Sequence, residues 1–395
     1  MAGKLDRNGN EMIECQECGR WYHTLAVHLK SRHGMDVHTY KAKHLGAPTI
    51  SLFGSNQISM AQKGKQLNNL NGNADKPENG ANVITLEPTV SPAVANGLAL
   101  TFGAAELSLR PDNGLDEIDK KHIPNHDPNF DLDPAVTEML ALGIEQGDNV
   151  LMVGPTGCGK TATVKELAAL LNQPVKRVNL HGDIRASDFV GEKVVEIATS
   201  TNQAIVSWKD GVLPDAMRRG YWLLLDEIDA ATPQILFVLQ SVLDSGQLVL
   251  TANHGEVVEP HENFRIISTA NTTGHGDDTG LYVGTNTLNE AFLDRFGTVI
   301  FQDYIPQTQE AMIIHRKANV GLDVAKKLVE VAKYVRNGLI HEECHCTLST
   351  RRLIMWANKI GKLGVHKAAQ VAVLNKLSKE DETYVKAIVQ RIFGY

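Results

Sequence analysis

The residues best suited to chemistry are Gly154, Pro155, Thr156, Gly157, Cys158, Gly159, Lys160 and Thr161, which follow directly on the apolar run Val150 to Val153. An apolar strand, a glycine-rich turn and a helix together can cradle a nucleoside triphosphate. The glycines let backbone N–H groups approach the phosphates, Lys160 reaches the β and γ phosphates, and the Thr161 hydroxyl can ligate Mg²⁺. A helix expected through Ala162 to Leu171 turns its N-terminal dipole toward the phosphates. Further on, Tyr221-Trp222-Leu223-Leu224-Leu225-Asp226-Glu227 reads as an apolar strand ending in two carboxylates. Asp226 is placed to hold Mg²⁺ and Glu227 to polarise an attacking water. A third strand, Arg265 to Thr269, ends near Asn271, a candidate for positioning that water, because ligands bind at the carboxyl ends of such strands. These residue types imply ATP hydrolysis with Mg²⁺ as cofactor.

Two arginines extend the site. Arg295, in Leu293-Asp294-Arg295-Phe296, is a candidate to neutralise transition-state charge on a neighbouring subunit's γ-phosphate. Arg351, at the opening of a later helix, is a candidate to contact the phosphates of its own subunit, with Arg352 as its rival. Either role makes the active unit a ring. Near the start of the chain, Cys15, Cys18, His28 and His33 have the types and spacing of a tetrahedral Zn²⁺ site, with His23 and His38 as alternative ligands. A module so small has too little core to fold without such a staple. Cys344-His345-Cys346 could bind a metal, but it lacks a fourth ligand nearby and precedes the lid helix, so it reads as a polar turn.

These residues need elements to hold them. The chain has 395 residues, 43% hydrophobic and 22% charged, enough for one large core or two. Its net charge of −7 disfavours a surface coated for nucleic acid, without excluding a small basic module. Five cysteines, an odd number, argue for reduced thiols over a disulfide framework. No apolar run approaches the ~18 residues of a membrane span, and the start lacks a signal-peptide apolar region, so a cytoplasmic protein without a membrane partner is the expectation. Composition divides the chain into a zinc-finger module at 1–50, a flexible Asn-, Gly- and Ser-rich linker at 51–114, a nucleotide-binding core at 115–305 and a helical lid at 306–395. Strands are expected at Val150–Val153, Val175–Leu180, Trp222–Leu225, Arg265–Thr269 and Thr298–Tyr304. Helices are expected at Thr161–Leu171, Pro233–Asp244, Thr308–Ala318, Leu322–Asn337, Thr350–Lys362 and Asp381–Phe393. Hairpins are expected at Val194–Trp208, Leu248–Val258 and Tyr282–Thr287. Strands alternating with helices predict an α/β fold, a parallel sheet flanked by helices.

The nucleotide motifs together resemble the AAA+ P-loop ATPases. Closer still, Arg177-Val178-Asn179-Leu180, Asp188-Phe189-Val190-Gly191, Trp208 to Pro214, Asp226 to Ala230, Thr269 to Thr272 and Gly276 to Tyr282 resemble the aerobic cobaltochelatase ATPase subunits, the CobS group within the MoxR branch. The resemblance spans roughly residues 115–393. It implies a hexameric ATP-driven ring working with a CobT-like subunit that bears a metal-dependent adhesion domain, in metal insertion or the remodelling of metalloproteins. The segment from Cys15 to Pro48 resembles instead the zinc finger of the Ros and MucR transcription regulators, which implies DNA binding; protein docking is the alternative. A DNA-associated AAA+ remodeller is therefore the competing reading of the whole chain.

Overall fold

The computed structural model describes residues 4–5, 11–15, 17–18, 21–22, 43, 89–91, 99–180, 184–197, 204–272, 274, 285–341 and 343–394. The chain divides into two units, Met1–Val83 and Ile84–Tyr395.

In the first unit β1 (Lys4–Leu5), β2 (Glu11–Glu14) and β3 (Trp21–Tyr22) form an antiparallel sheet in that order. Cys15, buried, follows β2 directly, and Cys18 is exposed. His28 and His33, the other expected zinc ligands, lie outside the described residues. Lys43 pairs with Glu17 at 2.7 Å.

The second unit opens with β4 (Thr89–Ser91), β5 (Ala99–Phe102) and β6 (Ala105–Ser108), an antiparallel sheet. Within the linker expected at 51–114, residues 99–108 are folded instead, while 51–88 and 92–98 lie outside the described residues. Leu100, Phe102, Ala105 and Leu107 are buried in one cluster with Val136, Leu140, Ala141 and Ile144, so residues 99–108 belong to the folded core. Next come α1 (Glu117–Lys121) and α2 (Pro134–Gln146). The Asp133 side chain caps the Val136 amide, Pro134 occupies the first turn, and Gly147 ends α2 at φ 77°. Those are the residues that start and stop a helix at lowest cost.

The nucleotide core then runs β7 (Val150–Val153), α3 (Lys160–Leu170), β8 (Val175–Asn179), α4 (Ala186–Val190), β9 (Gly191–Ile197), β10 (Ala204–Asp210), α5 (Val212–Arg219), β11 (Trp222–Asp226), α6 (Pro233–Ser245), β12 (Leu248–Leu250), β13 (Glu256–Val258), β14 (Arg265–Ala270), α7 (Glu290–Leu293) and β15 (Thr298–Phe301). The central sheet has the order β15-β7-β14-β11-β8, every pair parallel. Its β7 and β11 are buried along their whole length, as a sheet covered on both faces requires. Alternation sends Leu151, Leu223 and Leu225 to one core, with Phe189 and Leu239, and Met152 and Leu224 to the other, with Leu140 and Leu167. Two antiparallel hairpins, β9–β10 and β12–β13, interrupt the parallel pattern as expected. The third expected hairpin differs: residues 285–287 are not strand, and 282–284 lie outside the described residues.

Four helices complete the chain: α8 (Gln307–Ala318), α9 (Leu322–Ile340), α10 (Thr350–Ala372) and α11 (Lys379–Phe393). They enclose their own core around Trp356, whose indole N–H donates to the Val365 carbonyl at 3.0 Å. α10 continues ten residues past its expected end at Lys362, through a kink at Gly364 (φ 71°). A left-handed residue would break a helix made of bulkier side chains; glycine lets the chain turn and resume.

Candidate nucleotide site

The turn from β7 into α3 depends on glycine. Gly157 (φ 72°) and Gly159 (φ 114°) adopt backbone conformations that L side chains disfavour. Space is short as well as angle: a Cβ on Gly154 would fall 1.9 Å from the Gln302 carbonyl oxygen, and one on Gly157 2.4 Å from Ser349 Cβ. The loop is thus clasped between the segment that follows β15 and the N-cap of α10.

Lys160, buried at the first position of α3, donates through Nζ to the Gly154 and Pro155 carbonyls (2.6 and 3.1 Å) and to Asn271 Oδ1 (3.2 Å). Burial pulls its pKa below the ordinary lysine value, against the opposing fields of Asp229, Asp226 and Glu227. Phosphate oxygens would repay that desolvation. Thr161 donates its hydroxyl to Asp226 Oδ1 at 2.8 Å, and Thr269 of β14 donates to the same oxygen at 2.9 Å. The other oxygen, Oδ2, accepts from Arg177 Nε of β8 at 2.5 Å. Two hard oxygens, the Thr161 hydroxyl and the Asp226 carboxylate, therefore stand side by side at the start of α3. That donor set fits Mg²⁺.

Glu227 is exposed at the end of β11 with φ 58°, one of few non-glycine residues in the left-handed region. Such strain at a functional position persists only where the surroundings over-determine it. Here Asp226 is locked by three donors on one side and Ile228 is fully buried on the other. The Glu227 side chain is left projecting into the cavity rather than packed. Asn271 is aimed by a residue that the sequence reading passed over. Asp229, fully buried, accepts from the Asn271 amide (2.9 Å), the Thr272 amide (3.1 Å) and the Thr272 hydroxyl (3.1 Å), all through Oδ2.

Thr156, Gly157, Cys158, Gly159, Lys160, Thr161, Asp226, Glu227, Asn271 and Arg351 all line one cavity of about 410 Å³. Its other end, formed by Phe130, Ile305, Ile313, Ile354 and Met355, is apolar and suits a planar base. Of the rival arginines, Arg351 lines this cavity, while Arg352 turns back to the Thr347 carbonyl at 3.1 Å. Arg295 is not among its lining residues. Its guanidinium pairs with Asp244 of α6: Nη2 donates to Oδ2 at 2.8 Å, and Nε stands 2.6 Å from Oδ1 without the alignment of a hydrogen bond. Cys158 is buried, and burial pushes its thiol up, so it acts as a small filler. Arg177, Thr269 and Asp229 lie in segments that carry the family resemblance but had no role assigned from sequence; the parallel pairing β8-β11-β14, with the turn after β11 that holds Asp229, brings them to Asp226 and Asn271.

Residues 149–296 match the AAA domain (dynein-related subfamily), and residues 310–393 match the CbbQ/NirQ/NorQ C-terminal family. The aerobic cobaltochelatase subunit CobS of Sinorhizobium sp is 33% identical over 279 residues, covering 69% of this chain and 83% of that one. YojN of Bacillus subtilis is 30% identical over 268 residues, covering 66% of this chain and 82% of its own. A solved structure of Thermotoga maritima RuvB aligns at 17% identity and a TM-score of 0.40, over 66% of this chain and 78% of that one, too distant to bear on function.

Proposed function

The chain belongs to the MoxR-type AAA+ ATPases, the family of the cobaltochelatase subunit CobS, and from that premise we propose that it is the ring-forming motor of a two-component machine for metal insertion or metalloprotein remodelling. It is an ATPase. The observation that carries the reading is the convergence of Lys160, Thr161, Asp226, Glu227 and Asn271 on one cavity, with Arg351 entering from the lid.

In this reading Thr161 and Asp226 hold Mg²⁺, which when bound neutralises charge on the β and γ phosphates. Lys160 leaves the Gly154 and Pro155 carbonyls for phosphate oxygens. The Glu227 carboxylate orients the attacking water and takes its proton, while the Asn271 amide holds that water in line. Arg351 reports the phosphates to the lid, and Arg295, released from Asp244, reaches the site of the next subunit in a hexamer. The partner is a CobT-like subunit with a metal-dependent adhesion domain, since one relative, 33% identical over 83% of its own length, is a cobaltochelatase subunit. In the first unit, Cys15, Cys18, His28 and His33 hold Zn²⁺; the buried Cys15 at the end of β2 supports a ligand there. DNA is the competing partner of that unit, and the Lys43–Glu17 pair counts against a free basic face.

The experiment is affinity capture of the Glu227→Gln protein, which should bind ATP without hydrolysing it, from its native cell with and without nuclease. ATP-dependent, nuclease-resistant recovery of an adhesion-domain protein is the expected result. Nuclease-sensitive recovery of DNA-bound proteins would replace this reading with the DNA-associated one, and recovery indifferent to ATP would refute the motor.

A further inference from the structure

We propose that Cys344, Cys346 and Asp381 form a binding site for a thiophilic divalent cation of the Zn²⁺ class in the helical lid, apart from the nucleotide cavity. The proposal does not rest on the motor reading above. The two cysteines sit in the loop between α9 and α10, and Asp381 lies 35 residues beyond Cys346 in the first turn of α11. All three are buried, and their ligand atoms lie within 4.8 Å of one another. Around a tetrahedral Zn²⁺, with bonds of ~2.3 Å to sulfur and ~2.0–2.2 Å to oxygen, ligand atoms stand roughly 3.5–3.8 Å apart. Small side-chain adjustments close the difference.

Three further observations point to a cation. Asp381 is a buried carboxylate that, among the described residues, pairs with no lysine or arginine; its Oδ1 accepts from the His345 amide at 2.8 Å, which fixes its orientation toward the loop. A buried carboxylate without a counter-charge is costly, and a bound dication removes that cost. Cys344 Sγ lies 3.5 and 3.6 Å from the Val335 and Cys346 carbonyls and also meets the Cys346 thiol, contacts through which an S–H bonds only weakly. The charge count also closes. Binding displaces two thiol protons to solvent, so one dication, two thiolates and one carboxylate sum to −1, and the Arg352 guanidinium, whose field acts on Cys346, offsets it. The fourth position falls to water or to the exposed imidazole of His345.

The consequence is mechanical. A metal there pins the loop at 343–348 to α11, and that loop runs directly into Ser349, which abuts Gly157, and Arg351, which lines the nucleotide cavity.

The test is Co²⁺ titration of the full chain carrying Cys15→Ser and Cys18→Ser, so that no N-terminal thiolate contributes. One equivalent of Co²⁺ should bind with a thiolate-to-cobalt charge-transfer band, be displaced by Zn²⁺, and weaken by up to a hundredfold per pH unit on acidification, as two displaced protons require. Further replacement of Cys344 and Cys346 by serine should abolish the band. Asp381→Asn, which keeps an acceptor for the His345 amide, should weaken binding at least tenfold with the circular dichroism unchanged. Absence of the band, or its persistence without Cys344 and Cys346, overturns the proposal. If the serine variant does not fold, undiminished affinity in Asp381→Asn overturns it equally.

Discussion

Replacing Asp229 by alanine should damage hydrolysis through Asn271 and not through the fold alone. Its Oδ2 accepts three hydrogen bonds, two from the Asn271 and Thr272 amides and one from the Thr272 hydroxyl. Hydrogen bonds to a charged group contribute about 1.5–3 kcal/mol each, but three donors sharing one oxygen do not each reach that value. Against them stands Oδ1, buried with no partner among the described residues, at a cost of about 1–3 kcal/mol. The net loss on truncation is therefore about 2–4 kcal/mol, reduced where water reaches the half-buried Asn271 and Thr272 amides. A thermal melt should fall by roughly 3–6 °C for a folded unit of this size.

Stability alone would not establish the role, so the kinetic assay matters more. With the Asn271 backbone no longer fixed, kcat for ATP hydrolysis should drop about 10- to 100-fold, the scale set by a small misplacement of a positioning group, with KM within about threefold. Asp229 also acts on Lys160 through its charge. Asp229→Asn, which removes the charge but keeps an acceptor, should lose less kcat than Asp229→Ala. The decisive comparison is the double variant Asp229→Ala/Asn271→Ala. If Asp229 works through Asn271, the double variant is no slower than Asn271→Ala alone; multiplicative losses refute the reasoning.

Lys160→Met should weaken binding of a fluorescent ATP analogue at least a hundredfold, since a phosphate ligand is lost. Because burial lowers the pKa of Lys160, the folded chain binds this proton less than the unfolded chain does between the two values; stability gains a term that rises with pH across that alkaline window, and Lys160→Met should flatten it in urea titrations. Gly154→Ala forces a Cβ to within 1.9 Å of the Gln302 carbonyl oxygen and should cost about 3 kcal/mol or more by denaturant unfolding. Phe102→Ala should cost about 3–5 kcal/mol in the same assay, and a chain beginning at residue 115 should melt far below one beginning at residue 98; indifference to either change would return residues 99–108 to the linker.

The motif residues were legible because phosphate and Mg²⁺ chemistry demands them in short contiguous runs at strand ends. What the sequence hid is of two kinds. Asp229 and Arg177 act across 42 and 49 residues on Asn271 and Asp226, and only the strand order puts them there. Asp381 reaches the cysteine pair through helix packing in the lid, 36 residues from the His345 amide that holds it. The hairpin at 99–108 was hidden by composition: two four-residue strands give too short an alternation to stand out from the Asn- and Gly-rich stretch before them. By contrast α2, which is not among the expected helices, carries Asp133, Pro134 and Gly147 in its capping positions, signals that a search led by chemical motifs passes over.

The lid is bound to the phosphate loop by more than proximity. Tyr304 donates its hydroxyl to the Thr156 carbonyl at 2.9 Å, and its ring lies 3.6 Å from the Arg336 guanidinium. Arg336 forks onto the fully buried Glu310 (2.8 and 2.7 Å) and donates through Nε to the Leu348 carbonyl at 2.8 Å, while Thr350 donates to Glu310 at 2.6 Å. A buried bidentate pair of this kind contributes little net stability but is expensive to break on one side, which makes it better suited to fixing geometry than to holding the fold together. Tyr304 thus links the phosphate loop to Arg336, a cation that ties α8, α9 and the start of α10 together. Arg351 follows Thr350 directly, so the same contacts that set the lid against the core also set the arginine that enters the nucleotide cavity. Ligand contacts at the phosphate loop therefore bear directly on the residues that fix the lid against the core.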